Sequence, residues 1–273
     1  MSKPRFADAH RELAEERRAI RREVSFDAAP CRKATFADLN TELMAAFVAR
    51  ARSARGFPLP AEVTPRELLT HLNLLHEGRP THAAVLLFGR KPQRFVRSAV
   101  VKCSHFHGTE VTRPIPSYQV YKGTVFELID QAVDFVIPKI KPAAGMRKQR
   151  TEPPVVYKVP REVIRESIVN AVAHRDYTSD GCVQVMLFAD RLEVWNPGTL
   201  MPSLTLEMLG RPHESVPRNR LLANSLYLAR YTERMGTGTR DMIMGCRGAG
   251  LPLPQFALED GFVVSLWRRP RQA

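Results

Sequence analysis

In the stretch RESIVNAVAHRDY, residues 165–177, Glu166, Asn170 and His174 recur at every fourth position. That spacing places a carboxylate, an amide and an imidazole on one face of a helix. Ile168, Val169, Val172 and Ala173 lie between them and belong in a core, so the helix is half-buried with a polar stripe. A carboxylate so placed can orient or deprotonate a water. An Asn side-chain oxygen is a hard ligand of the kind Mg²⁺ accepts, since that ion binds few protein groups and completes its shell with phosphates and water. A solvated stripe in which Glu166 pairs with Arg165 or Arg161 makes the same pattern, and the helix taken alone favours that plainer reading.

Further along, Gly236-Thr237-Gly238-Thr239 precedes a helical stretch beginning at Arg240. A glycine turn feeding a helix N-terminus presents backbone N–H groups and a positive dipole end, which suits phosphate. An ordinary helix stop followed by a turn looks similar. Asn196 and Gly198 fall where a strand ends in the turn Asn196-Pro197-Gly198. Arg218 and Asn219 lie in a Pro- and Arg-rich loop, residues 199–220, and can reach a phosphate if the loop closes; a solvated loop competes equally. Asp190 reads as a hairpin-turn residue. Ser215 and Cys246 lack the context of activated nucleophiles. His105 and His107 share a strand face, but the pair reads as half-exposed strand more readily than as metal ligands. No GxxxxGK[ST] and no GxGxxG occurs, which argues against a P-loop motor and a Rossmann domain.

These residues need elements to hold them. Residues 7–22 read as a charged helical arm. Thr35 with Asp38 opens a helical stretch over 35–55, and Thr64-Pro65 opens another. AAVLLF, closed by Gly89, reads as a buried strand or short helix, and residues 99–108 as a strand. Residues 125–140 form an amphipathic helix stopping near Pro138. PVVYKVP, residues 154–160, reads as a short strand before the 161–175 helix. CVQVMLFADRLEVWNPG gives two strands joined at Ala189-Asp190-Arg191; a helix, the glycine turn, a second helix and the strand FVVSLW follow. Hairpin-linked strands point to an α+β fold with a mixed sheet.

The chain has 273 residues, 44% of them hydrophobic, enough for one large or two small domains. Lys and Arg number 41 against 28 Asp and Glu, and the resulting +13 favours polyanion partners or simply a solvated basic surface. Cys31, Cys103, Cys182 and Cys246 form no CxxC pair, so free thiols in a reducing compartment are expected. With neither a long apolar run nor a signal-peptide core at the start, the expectation is a cytoplasmic, bacterial-type protein without membrane association.

Taken in order, REVIRESIVNAVAHRDY, FADRLEVWNPGTL, HESVPRNRLLA, ERMGTGTRDM and GLPLPQF resemble the C-terminal ATPase-like module of bacterial RecG-related or Schlafen/Alba-type transcriptional regulators. The resemblance covers about residues 120–268. ATFADLN and THAAVLLFGRKPQRF are similar to the part preceding that module, and residues 7–27 look like the tail of an Alba-like DNA-binding domain. The module is similar to the GHKL (Bergerat) ATP-binding fold of gyrase, histidine kinases and MutL. The implied fold is an α/β sandwich, a mixed sheet with helices on one face. The implied division is an arm over 1–25, a small α/β module over 26–115 and a GHKL domain over 116–273. The resemblance assigns Glu166 to activating water, Asn170 to Mg²⁺, Asn196 to the adenine amino group in place of the usual Asp, and Gly236 and Gly238 to the lid. Gly198, Arg218, Asn219, Thr237, Thr239 and His174 join them as nucleotide-contact candidates, His174 without a defined role. It implies ATP and Mg²⁺ as cofactors and a slow ATPase, not a helicase, that locks a homodimer within a DNA-associated regulator. Two alternatives stay open: a scaffold for dimerisation or protein interaction that no longer takes nucleotide, and a direct nucleic-acid binder acting through the basic surface.

Overall fold

The structure, a computed structural model, describes residues 25–140, 159–211, 214, 216–233 and 237–268. The arm over 7–22, Gly236, Ser215 and the strand expected over 154–160 (apart from Val159 and Pro160) lie outside the described residues.

Polar side chains at helix starts set the first half. Thr35 and Asp38 close a capping box on one turn of 3-10 helix. Asn40 then accepts from the amides of Glu42 and Leu43 at 3.0 and 3.2 Å to begin α1, Thr41–Arg55. Thr64 and Glu67 form a second capping box ahead of α2, Pro65–His71, with Pro65 in the first turn where its missing N–H costs nothing. The two-residue strands β1, Leu75–His76, and β2, Arg79–Pro80, make a small hairpin. Thr81 caps α3, His82–Phe88, which resolves the ambiguity at AAVLLF in favour of helix. Residues 83–88 are all buried, as befits a helix enclosed on every side.

The main sheet has six strands in the order β4-β3-β5-β6-β8-β7, formed by β3, Val101–His105; β4, Ser117–Tyr121; β5, Val183–Leu187; β6, Arg191–Asn196; β7, Gln255–Leu258; and β8, Phe262–Trp267. Only β3 and β5 pair in parallel; every other neighbour is antiparallel. Val183, Val185, Leu187, Leu192 and Val194 are buried on one face, while Gln184, Met186, Glu193 and Trp195 alternate onto the more open one. The helices α4, Val125–Ile140; α5, Arg161–His174; α6, Arg220–Leu228; and α7, Gly238–Gly248 complete the second half. Pro138 sits inside the last turn of α4, which runs on to Ile140. The sheet edges β4 and β7 were not expected. The expected division at 115/116 falls between β3 and β4, which pair along their full length in one sheet.

The two halves share one hydrophobic core. Asp27 is the polar hinge between them. Its fully buried carboxylate accepts from the amides of Leu221 and Leu222 at 2.8 and 3.2 Å, capping α6 from 194 residues away, and takes a 2.5 Å bond from Ser25. Phe26 stacks on His82 and Tyr177, with ring centroids 4.3 and 5.9 Å away. Asp27→Ala leaves two amides at the start of α6 without an acceptor. It is expected to cost about 1–3 kcal/mol of stability, read as a lower urea midpoint with unchanged slope.

Candidate functional site

Helix α5 turns Val163, Ile164, Ile168, Val169 and Val172 into the core, leaving Glu166, Asn170 and His174 on a stripe that faces a cavity of about 330 Å³. Asn170 Nδ2 donates to Glu166 Oε1 at 3.1 Å, so the amide oxygen is left to other partners. Val194 of β6, Val264 of β8 and Met242 of α7 supply apolar wall, and Leu200, Met201 and Leu204 cover it from the loop after β6.

Asn196 ends β6 at the cavity floor and is 6% exposed. Turning its amide so that the nitrogen donates to Ala171 O at 3.3 Å satisfies the group and points the side-chain oxygen the other way. Gly261 runs against it: a Cβ there would lie 2.6 Å from Asn196 O, so no larger residue fits at the start of β8. The turn that follows is pinned from α5, because the amide of Asp176 donates to Pro197 O at 2.9 Å.

The first residue of α7 closes the polar end. A Cβ on Gly238 would lie 2.2 Å from Glu166 Oε1 and 2.9 Å from Asn170 Nδ2, so the glycine backbone rests directly on that pair. Thr237 occupies the N-cap position, and Thr239 Oγ1 donates to Leu209 O at 2.8 Å, joining α7 to the loop after β6.

Burial pushes the Glu166 carboxyl up to about 7. Asp241 adds to the rise, and the Asn170 hydrogen bond offsets part of it. Burial, with the nearby Arg218, lowers His174 to about 4, so its imidazole is neutral at physiological pH. Arg218 Nη2 donates to Thr199 O at 2.8 Å, and its Nη1 lies 3.9 Å from Asp176 Oδ2; the side chain lines the cavity while tethered to both.

The structure therefore gathers Glu166, Asn170, His174, Asn196, Arg218, Gly238 and Thr239 on one cavity. Thr237 lies just beyond, and Gly198 borders Asp176 and Arg218 without lining the cavity. Asn219 is a correction. It is 1% exposed and lines no part of the cavity, because its amide donates to Ala173 O and Arg175 O at 2.9 and 2.8 Å, satisfying carbonyls at the end of α5. The residues after His174 also find their work. Arg175 is buried over the Tyr177 ring and donates to Ser179 O and Gly181 O, while Tyr177 donates to Val172 O. Sequence reasoning missed Asp241 and the apolar cover after β6. Asp241 carried only the signal of an acid in the first turn of a helix, and the cover residues only that of scattered apolar side chains in a loop.

Because Glu166 titrates higher in the folded chain than the ordinary 4.5, its contribution to stability is present below about pH 4.5 and is lost as pH rises through about 7. Glu166→Gln should flatten the stability–pH curve across that window and leave the variant more stable than the parent above about pH 8, as read by chemical denaturation at a series of pH values.

Residues 180–266, about a third of the chain, match the protein family described as "Putative ATP-dependent DNA helicase recG C-terminal". Asn196, Arg218, Gly238 and Thr239 lie inside that segment; Glu166, Asn170 and His174 precede it. No curated protein matches the chain. Among solved structures, the chain is similar to the DIP2311 protein from Corynebacterium diphtheriae, with a TM-score of 0.66, 22% identity, and coverage of 90% of this chain and 47% of that one. The chain thus spans about half the length of that structure and shares its fold. Among the described residues no helix is long and apolar enough to cross a membrane. The segment 180–266 is therefore similar to a RecG-related, ATPase-like module, and it forms most of the lining of the cavity that α5 completes.

Proposed function

We propose that the chain is a GHKL-type regulatory module that binds ATP with Mg²⁺ in the α5 cavity and hydrolyses it slowly. The observation that carries the reading is the convergence on one cavity of a buried amide, Asn196, a carboxylate–amide pair, Glu166 and Asn170, and a helix start, Gly238, packed on that pair. A volume of about 330 Å³ falls within the range of small-molecule sites.

The residues fit the ligand. Asn196, its nitrogen held by Ala171 O, offers an acceptor to a base amino group. The apolar walls from β6, β8 and α7 suit the flat faces of a base. Asn170, at the polar end, offers its free oxygen to Mg²⁺, and Arg218, held at Thr199 and Asp176 beside the turn after Asn196, offers its guanidinium to phosphate oxygens. The cation would neutralise phosphate charge. Glu166, with its carboxyl near 7, is half-ionised at neutral pH and takes a proton from water at Oε1 or Oε2. Since the Gly238 backbone rests on the Glu166–Asn170 pair, the glycine turn has to shift for a triphosphate to reach them, which suits a slow switch better than a fast enzyme. The positive surplus of the chain supports DNA as a macromolecular partner and, with the resemblance, a place in a homodimeric DNA-associated regulator.

One observation favours a second reading, a scaffold without nucleotide: Asn170 already bonds Glu166, and Gly238 seals them in. A thermal-shift titration separates the two. Mg-ATP at a hundredfold its dissociation constant should stabilise the chain by roughly 2.7 kcal/mol. Asn196→Ala should weaken binding, and Glu166→Ala should retain binding and lose turnover. No shift at millimolar Mg-ATP overturns the nucleotide reading and leaves the alternatives standing. For DNA, binding to random duplex that falls steeply with salt is expected, and no binding at low salt removes that partner.

A further inference from the structure

Behind Glu166 lies a second cleft of about 570 Å³ whose arginines none of the assignments above uses. Glu166, Thr232, Glu233 and Gly238 form the wall it shares with the first cavity. Its rim carries four arginines, Arg50 of α1, Arg161 and Arg165 of α5, and Arg230 just after α6. Among the described residues Arg161 meets only one carboxylate, Asp134 at 3.9 Å, and the other three form no salt bridge.

Two of the guanidinium groups are already positioned. Arg50 and Arg165 both lie over the ring of the buried Tyr231, at 4.6 and 4.9 Å from its centroid. Arg165 is fixed further by a 3.0 Å bond to Arg230 O, and Tyr231 by a 2.6 Å bond to Asp130. Stacking on an aromatic face leaves the N–H edges of a guanidinium available for a planar or tetrahedral oxyanion. Of the acids on the rim, Asp130 is engaged by Tyr231 and Glu233 by Arg55 at 2.7 Å. Glu166, the fifth acid of the cleft, accepts from Asn170 at 3.1 Å; Glu162 and Asp241 are exposed, as are Arg50, Arg161 and Arg230.

Arg230 supplies an independent observation. It follows the C-cap of α6 with φ +56°, in the left-handed region that glycine or asparagine adopts at lower cost. A long cationic side chain held in an unfavourable backbone conformation beside a cleft points to a use for that side chain.

We propose that this cleft is a phosphate-binding site, separate from the nucleotide cavity and sharing its Glu166–Gly238 wall, in which the Arg50, Arg165 and Arg230 guanidinium groups hold a tetrahedral phosphate dianion. The site's place relative to the first cavity rests on the nucleotide reading; its affinity for free phosphate does not. Two sources share the chemistry, phosphate from solution and the terminal phosphate of a nucleotide bound next door.

The test is calorimetric titration with potassium phosphate at constant ionic strength, chloride balancing the salt. Saturable binding in the millimolar range is expected, with none for acetate at matched ionic strength. Arg230→Gly relieves the backbone strain, so it should fold at least as well as the parent while weakening phosphate about tenfold; Arg50→Gln should weaken it similarly. Asn196→Ala, which alters the nucleotide cavity alone, should leave phosphate affinity within about twofold while weakening ATP. The proposal is overturned if no saturation appears with or without Mg-ADP, if Arg230→Gly and the parent bind phosphate alike, or if Asn196→Ala abolishes phosphate binding. Binding to the free chain identifies solution phosphate as the source, and binding only with Mg-ADP present identifies the nucleotide's own phosphate. A chain that binds phosphate but not ATP refutes the proposed function and leaves this site standing.

Discussion

A single carboxylate sets the frame of the cavity. Asp27 receives the first amides of α6, and α6 in turn brings Arg220, Ala223, Asn224 and Tyr227 to the cavity wall. A helix as short as nine residues has little stability of its own, so its place depends on a buried cap and on packing. From the same junction Asn219, directly before α6, reaches back to the last carbonyls of α5. Two capping interactions, one at each side of residue 220, thereby fix the angle between the helix that carries Glu166 and the one that faces it. Neither capping residue touches the cavity.

Much of the frame was legible. Thr35 with Asp38, Thr64 with Pro65, and the alternation in CVQVMLFADRLEVWNPG all announce local structure through chemistry between near neighbours, and the corresponding boxes, helix and strands are present. The edge strands β4 and β7 escaped notice because each is only four or five residues long and half-exposed, with little apolar alternation to mark it. The all-apolar AAVLLF had no period to distinguish strand from helix; the Thr81 cap decides it.

At the site, the stripe of Glu166, Asn170 and His174 followed directly from helical period, and the structure turns all three to the cavity. Asn219 shows where that kind of reasoning stops. Beside Arg218 in a polar loop it has the character of a ligand, yet its partners are carbonyls 44 and 46 residues away, a relation no local pattern encodes. Asp27 is the same case over a longer span. His174-Arg175-Asp176-Tyr177, which had no defined chemistry, proves to be a knot: His174 faces the cavity, Arg175 and Asp176 tie the end of α5 to the turns around 179–181 and 197, and Tyr177 folds back onto Val172 O.

The parallel pairing of β3 with β5 joins segments about 80 residues apart, across α4 and α5. The pairs β3–β4, β5–β6 and β7–β8 are local, whereas this seam and the antiparallel β6–β8 seam, which joins residues 66 to 76 apart, have to wait for long loops to close. A ribosome that has released only the first half of the chain has exposed β3 with an unfilled edge. Until β5 arrives, the seam leaves that edge open to mispairing during synthesis, as any unpaired strand edge is.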